Sequence, residues 1–226
     1  MKDDIASKQK AIYTLLSKFG DAFSSPQRIK LISLLSQGPK SVDQLAAMTQ
    51  QSKAAASAHL KVLRGSGLVI GEKSGRHVWC RLANDNVGLL WLAMRNLGEE
   101  LLPEVREIVR DYFEAPESSS DLSVVAAKEE LNSDRSYLID LRTALEYETG
   151  HIPSALNFPL GNLENSIEQI PPDRDIFTYC RGPYCLGALE GTELLRNRGL
   201  PAKRLRFGLP EWKASGLAVE KSEPIE

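Results

Sequence analysis

The sequence has few cysteines, few histidines and no long hydrophobic run, and each shortage excludes a class of protein. Its 226 residues include three cysteines, an odd number that argues against a disulfide framework, and three histidines. The apolar runs are far shorter than the roughly 18 to 20 residues that cross a bilayer. The N-terminal stretch MKDDIASKQK lacks the apolar core of a secretion signal. We therefore expect a cytoplasmic protein without membrane contact, whose cysteines are thiols.

Length and composition are those of a folded protein with one large domain or two small ones. The hydrophobic share is 42% and the charged share 26%, which excludes a disordered chain and a coiled-coil rod. Residues 1–113 carry 16 Lys and Arg against 11 Asp and Glu, whereas residues 114–226 carry 12 against 19. Only the basic half suits a polyanion such as nucleic acid. The acidic, Pro/Ser-rich stretch 114–123 predicts a linker between domains at 1–113 and 124–226.

Helices followed by one hairpin are predicted for the first half. Pro26 suits the first turn of a helix, and Ser41 to Gln44 has the spacing of a capping box that opens the next helix. Another helix starts at Ser52, after a tight turn. The apolar stripe of this helix consists of Ala56, Leu60 and Leu63.

A basic hairpin completes the first domain. Its strands, Leu68–Ile70 and His77–Leu82, flank the glycine-containing segment Gly71–Arg76. Residues 52–81 hold six Lys and Arg against the single Glu72. Two short helices and a basic hairpin predict a mainly α winged helix-turn-helix, in which the second helix enters the major groove and the wing follows phosphates.

The segment from Ser24 to Ala83 resembles the ArsR family of bacterial repressors. The most specific matches are HLKVLRGSGLV, from His59 to Val69, and the wing GRHVWCRL, from Gly75 to Leu82. The resemblance implies that the partner is double-stranded DNA. It also implies a homodimer built from the first helix and from a last helix spanning about Asn84 to Phe113.

Few side chains are available to recognise DNA bases. Ala54, Ala55 and Ala58 stand where members of the ArsR family often carry polar groups, and alanine offers a base only a methyl group. An ordinary amphipathic helix with a solvated charged face is the alternative for the helix from Ser52. The candidate base contacts are Lys53, Ser57, His59 and Lys61, and the candidate phosphate contacts are Arg64 and Arg76.

The metal ligands of many ArsR proteins are missing. Such proteins use a Cys-x-Cys before the recognition helix, or His and Asp/Glu in the last helix. Here all three histidines lie outside the last helix, so we expect no metal site with those ligands. Strand alternation places Cys80 on one face with Val78 and Leu82, which favours a small buried hydrophobe over a sensor thiol.

Strands and helices alternate in the second half, which predicts an α/β domain with a parallel sheet flanked by helices. Strands are predicted at Tyr137–Asp140 and Asp175–Tyr179, with a short helix at Ala144–Glu148 between them. The second strand runs into Cys180–Cys185, and a helix follows from Leu186. Ligands bind at such loops, where backbone amides and the helix N-terminus favour anions. The sequence therefore predicts a lowered pKa for Cys180.

From about Asp121 onward the chain resembles the rhodanese family of sulfurtransferases. The matches are LIDLRTALEYETGHIPSALNFPL, from Leu138 to Leu160, and GLPEWKASGLAVE, from Gly208 to Glu220. Two positions, Ser154 and Phe207, depart from the glycines common in that family. The resemblance implies framework roles for Asp140, Arg142, Glu146 and His151, and it places the active loop at Cys180–Cys185.

The six-residue loop suits one transferred sulfur atom, since related phosphatases use a loop that is one residue longer. We expect Cys180 to be the nucleophile, Arg181 to orient thiosulfate or another anionic donor, and Cys185 to resolve a persulfide or merely to fill a variable position. The candidate catalytic residues are Cys180, Arg181, Gly182, Pro183, Tyr184 and Cys185.

These features together predict a dimeric winged-helix repressor fused to a rhodanese-like domain that takes up sulfane sulfur from thiosulfate or a persulfide. The sulfur is either the regulatory signal or part of a sulfurtransferase activity, and no cofactor is expected. Two alternatives stay open. One is a sulfurtransferase that uses the winged helix for dimerisation or location. The other is a sensor that binds a thiophile such as arsenite through Cys180 and Cys185.

Overall fold

The computed structural model describes residues 2–113, 119–120 and 122–222, which group into two compact units. The first unit is Met1–Trp91 and the second is Leu92–Glu226. Most of the predicted linker, at 114–118 and 121, lies outside the described residues.

Helices α2 to α4 of the first unit form its core together with a small antiparallel sheet. The sheet order is β1-β3-β2. The elements are α1 (Lys2–Phe23), α2 (Pro26–Leu35), β1 (Lys40–Ser41), α3 (Val42–Thr49), α4 (Lys53–Gly65), β2 (Val69–Ser74) and β3 (His77–Leu82), and α5 (Asp85–Leu101) begins in this unit and ends in the second.

Local signals in the sequence set the helix-turn-helix. The predicted capping box is confirmed, because the Gln44 amide donates to Ser41 Oγ (3.2 Å) and the Ser41 amide donates to Gln44 Oε1 (2.8 Å). Ser52 caps α4 by accepting a hydrogen bond from the Ala55 amide (3.2 Å). The predicted stripe of α4 is fully buried, as is Cys80 of β3. The winged helix-turn-helix prediction is therefore confirmed at the level of fold.

Two predicted boundaries in the N-terminal half are wrong. The wing tip is Gly75–Arg76 and not six residues long, because β2 continues to Ser74, which pairs with His77 across the hairpin. Gly75 supplies the left-handed φ of +58° that this short reversal uses. The single last helix is in fact α5 and α6 (Pro103–Phe113), because proline lacks an amide hydrogen and its ring clashes with the preceding turn.

The second unit contains a five-stranded sheet whose strands are all parallel, with the order β4-β8-β7-β5-β6. This confirms the predicted α/β fold. After α6, its elements are β4 (Ser119–Ser120), α7 (Val124–Leu131), β5 (Ser136–Asp140), α8 (Ala144–Thr149), β6 (Leu156–Asn157), α9 (Leu163–Ser166), β7 (Asp175–Cys180), α10 (Leu186–Asn197), β8 (Lys203–Gly208) and α11 (Leu209–Ala214).

Alternate residues of the central strands pack into two different hydrophobic cores. Ile139 and Ile176 belong to one core, and Leu138 and Phe177 belong to the other. Because successive strand residues point to opposite faces, the two cores lie on the two sides of the sheet. The sheet is thus buried on both faces, as parallel sheets generally are.

A buried ion pair closes the carboxyl end of β5. Arg142 Nη2 donates to Asp140 Oδ2 (2.6 Å) and to the Gly150 carbonyl (2.8 Å), and neither side chain of the pair is exposed. The Tyr179 hydroxyl donates to the same carboxylate oxygen at 2.5 Å. Asp140 therefore joins the ends of two neighbouring strands, in keeping with its predicted framework role.

We expect Asp140→Asn to lower the free energy of unfolding by about 3 to 5 kcal/mol, because Arg142 would stay charged and buried beside a neutral amide. Denaturant unfolding measures this loss. The control is Asp175→Asn, whose partner Arg135 is exposed, so its effect should stay within about 0.5 kcal/mol. Equal losses in the two variants would contradict this account.

Candidate functional site

Two glycines allow the loop from Cys180 to Cys185 to close tightly. Gly182 has a φ of +118°, a conformation that side chains other than glycine rarely adopt. A Cβ added at Gly208, at the end of β8, would lie 2.5 Å from the Cys180 carbonyl oxygen and 2.9 Å from the Gly182 nitrogen. Glycine at 208 therefore lets the neighbouring strand end touch the loop backbone.

The sulfur atoms of Cys180 and Cys185 lie 2.8 Å apart, and both cysteines are free thiols. The hydrogen bond with Cys185, together with burial, raises the pKa of Cys180 well above its usual value. The same hydrogen bond, the amides of Arg181 and Ala188 and the charge of Arg181 lower the pKa of Cys185 to about 6. These shifts favour a thiolate at Cys185 beside a protonated Cys180.

The predicted lowering of the Cys180 pKa is wrong for the unmodified thiols, because that pKa is raised. Cys185 is the N-cap residue of α10, so the amides of the first helical turn, that of Ala188 among them, lower its pKa. Cys180 instead ends a buried strand and is 3% exposed. The predicted start of the helix at Leu186 already indicated that Cys185 is the N-cap, because the N-cap is the residue before the first helical one.

Arg181 is held beside the thiols by a carboxylate. Its Nε donates to Glu146 Oε1 (2.8 Å) and its Nη2 donates to Glu146 Oε2 (2.7 Å), with Glu146 almost fully buried. Glu146 is fixed in turn by the capping box of α8, where it accepts a hydrogen bond from the Thr143 hydroxyl (2.9 Å). The role of Arg181 toward a sulfur donor stays a prediction, and the structure shows two of its nitrogens bound to Glu146.

Tyr184 contacts two residues, Glu99 and Phe113, that the sequence did not predict to be near the loop. Its hydroxyl donates to Glu99 Oε1 (2.5 Å), and its ring lies 5.8 Å from that of Phe113. Burial and the hydrogen bond to Glu99 both raise the pKa of Tyr184. The fully buried Arg204 donates to the Pro183 carbonyl (3.4 Å) and to the Phe113 carbonyl. No pattern in the sequence distinguished these contacts, since Glu99 is one of many charged residues on a helix.

The structure brings the candidate DNA contacts to one helix and one turn. Five of them lie on α4, and Arg76 lies at the wing tip. The four cationic side chains are exposed, whereas Ser57 and His59 are half-buried. The exposed cations are Lys53, Lys61, Arg64 and Arg76.

Asp43 is an unpredicted member of this surface. It accepts hydrogen bonds from Lys53 Nζ (2.7 Å) and pairs with His77 Nδ1 (3.2 Å). These two partners, Lys53 first, hold the pKa of Asp43 below its usual value. Asp43 of α3 therefore ties the first residue of α4 to the first residue of β3.

Neither a metal cluster nor a membrane-spanning helix occurs in the part of the chain that the structure describes. No three His, Cys, Asp or Glu residues at 2–113, 119–120 or 122–222 are grouped to hold a metal ion. No helix within the same ranges is both long enough and apolar enough to cross a membrane.

Comparisons with known proteins match both halves. A family model described as bacterial regulatory protein, arsR family, matches residues 25–70, and a rhodanese-like domain model matches 123–215. The HTH-type transcriptional regulator Rv0324 of Mycobacterium tuberculosis is 30% identical over 220 residues, which are 97% of this chain and 96% of that protein. A sulfurtransferase of Allochromatium vinosum is 32% identical over 87 residues, 38% of this chain and 79% of its own.

One similar solved structure is the homodimeric winged helix-turn-helix DNA-binding domain of Mb0332 from Mycobacterium bovis. It is 27% identical, covers 42% of this chain and 89% of its own, and has a TM-score of 0.41.

Replacing Cys180 by alanine should raise the pKa of Cys185 from about 6 toward the value of about 8.5 of a free thiol, because the hydrogen bond between the two thiols is the largest cause of the lowering. Only a thiolate is alkylated, so the pH dependence of iodoacetamide labelling, followed by peptide mass spectrometry, reports this pKa. In the control Cys80→Ala, the pH midpoint of Cys185 alkylation should stay near 6. An unchanged midpoint in Cys180→Ala would show that the amides and Arg181 suffice to lower the pKa of Cys185.

Proposed function

Because this chain belongs to the arsR family of bacterial regulatory proteins and carries a rhodanese-like domain, we propose that it is a DNA-binding repressor that takes up sulfane sulfur on Cys180. The observation that carries the proposal is the pair of thiols, 2.8 Å apart, at the N-terminus of α10. Since a regulator of transcription acts where the DNA is, we propose that the protein works in the cytoplasm.

Helix α4 supports DNA binding. Its apolar stripe is buried in the core, and the exposed part of its surface carries Lys53, Lys61 and Arg64. A helix that presents cations opposite its buried stripe fits the major groove, and Arg76 at the wing tip suits a phosphate. Asp43 positions the Lys53 ammonium through an exposed ion pair, which DNA phosphates can replace.

Exposed apolar side chains support a homodimer. On α1 and α5 many large hydrophobic residues are more than a third exposed in the single chain. Apolar surface on this scale indicates a partner, and we propose a second copy of the chain. These residues are Ile5, Ile12, Tyr13, Leu15, Leu16 and Phe19 on α1, and Leu89, Leu90, Leu97 and Leu101 on α5.

The first sulfur step is nucleophilic attack by Cys180 on the outer sulfur of thiosulfate. The sulfur–sulfur bond of the donor breaks and sulfite leaves, while the proton of Cys180 passes to the Cys185 thiolate at 2.8 Å. Cys180 then carries a persulfide. The six-residue length of the loop suits one transferred sulfur atom, and Gly182 and Pro183 shape its turn.

The second step uses Cys185. Its sulfur attacks the Cys180 sulfur and expels the outer sulfur as hydrosulfide, which takes the proton of Cys185 with it. One thiol, one thiolate and one thiosulfate thus give a disulfide, sulfite and hydrosulfide, with the sulfane sulfur as the oxidant. We propose that the persulfide or this bridge is the signal that changes DNA binding.

A thiophile sensor is the second candidate, because the same two thiols are close enough to bind one arsenic atom. Arsenite added in place of thiosulfate separates the two functions. If arsenite releases DNA, and the response is lost in Cys180→Ser but kept in Cys80→Ser, the thiophile function is favoured over sulfur transfer.

The double variant Lys53→Ala/Lys61→Ala should bind duplex DNA at least about tenfold more weakly, and its affinity should depend less steeply on salt, because fewer cations displace counterions. The probe is an inverted repeat that the wild-type protein selects from a random duplex library, and the measurement is affinity across a salt series. The control is Lys128→Ala/Lys213→Ala, two exposed lysines of the second unit. Wild-type affinity in the first double variant would reject α4 as the recognition surface.

Intact-protein mass spectrometry after thiosulfate treatment should show a Cys180–Cys185 bridge in the wild type. Cys185→Ser should retain one extra sulfur, because no resolving thiol remains, and Cys180→Ser should gain none. Cys80→Ser should behave as the wild type does. If Cys180→Ser is sulfurated as fast as the wild type, the acceptor is Cys185, the thiolate of the resting pair, and the assignment to Cys180 is wrong.

A further inference from the structure

The C-terminal segment of α5, residues 92–101, makes two side-chain pairs within the second unit, one with the thiol loop and one with α11. The first pair is the Tyr184 hydroxyl on Glu99, at 2.5 Å. The second is an ion pair between Arg95 and Glu211 of α11, with side chains 10% and 13% exposed. Solvent screening of the second pair is therefore weak, so both groups have well-defined positions.

Glu211 links Arg95 to the backbone next to the loop. Its other carboxylate oxygen accepts the Gly208 amide (2.8 Å), and Gly208 abuts the Cys180 carbonyl. A Cβ added at Gly182 would lie 3.2 Å from the Glu211 carboxylate and 3.8 Å from Arg95 Nη1. The segment of α5 thus touches both halves of the loop, through Glu211 near Gly182 and through Glu99 at Tyr184.

We expect a change in the sulfur state to move Tyr184. A disulfide requires the two sulfur atoms to come from 2.8 Å to about 2.05 Å, and a persulfide places another atom in a site where Cys180 is 3% exposed. Either change displaces Cys185 relative to Cys180. Tyr184 directly precedes Cys185, and its hydrogen bond to Glu99 has little tolerance for displacement.

We propose that Arg95 and Glu99 are positioning residues for the thiol loop, and that the order of residues 92–101 depends on the state of Cys180 and Cys185. The positioning role stands on the contacts alone, whereas the response to sulfur rests on the proposed function. Helix α5 is continuous from Asp85, three residues after β3 ends, so a change in its C-terminal segment acts on a helix that begins in the first unit.

Tyr184→Phe and Glu99→Gln in the full-length chain test the positioning role. Without a sulfur donor, each variant should speed amide hydrogen exchange in residues 92–101 by about tenfold, as expected for the loss of a hydrogen bond to a charged group. Each should also move the alkylation midpoint of Cys185 upward from about 6, because a looser loop weakens the contact between the thiols.

The matched control is Tyr147→Phe, which removes a hydroxyl that donates to the Ala155 carbonyl (2.7 Å) in the same unit. It should leave both the exchange of residues 92–101 and the Cys185 midpoint unchanged. Unchanged exchange and an unchanged midpoint in both Tyr184→Phe and Glu99→Gln would overturn the positioning role.

The response to sulfur is tested by the exchange of residues 92–101 before and after thiosulfate, with sulfur uptake followed by mass. In the wild type, the exchange rate of residues 92–101 should change by about fivefold or more on sulfur uptake. In Glu99→Gln, the same rate should be equal before and after sulfur uptake. Uptake without a change in wild-type exchange would overturn the response. If the wild type takes up no sulfur, the proposed function fails. The oxidant diamide, which forms the Cys180–Cys185 bridge without a sulfur donor, then tests in the same assay whether the exchange of residues 92–101 responds to the state of the thiols.

Discussion

The buried ion pair of Asp140 and Arg142 is the interaction on which the thiol site is built. Asp140 ends β5, and its carboxylate also accepts the hydroxyl of Tyr179, the residue before Cys180. The ends of β5 and β7 are therefore fixed to one another by charge and not by apolar packing alone. Because a charge without a partner in the interior is costly, this arrangement permits little displacement of the strand end that carries Cys180.

Two further charged groups at the loop, Arg181 and the Cys185 thiolate, are stabilised by their neighbours, and this affects the chemistry of the thiols. Glu146 pairs with Arg181, while the hydrogen-bonding groups and charge around Cys185 favour a thiolate there. Two adjacent thiols cannot both ionise easily, so stabilising one thiolate keeps the other protonated. The pair then contains a base and a thiol side by side, which is the arrangement that nucleophilic attack by sulfur requires.

Features set by neighbouring residues were predictable, and features set by distant ones were not. The capping box at Ser41, the stripe of α4 and the burial of Cys80 follow from local spacing, and the structure confirms them. The break at Pro103 was open to the same kind of reasoning, but the resemblance to the ArsR family implied one last helix from about Asn84 to Phe113. Arg95 and Glu211 stand 116 residues apart, and no periodicity brings such a pair to notice.

The pairing of Arg181 with Glu146 also determines what the loop discriminates against. Inorganic phosphate and sulfate are common anions of similar size to thiosulfate, and an unopposed guanidinium beside the loop would attract all three. With both carboxylate oxygens of Glu146 engaged by Arg181, the cation is largely neutralised at short range. For the proposed uptake of sulfane sulfur, selection then depends on whether a molecule offers a sulfur atom that a thiol can attack, and we expect abundant oxyanions to be poor competitive inhibitors.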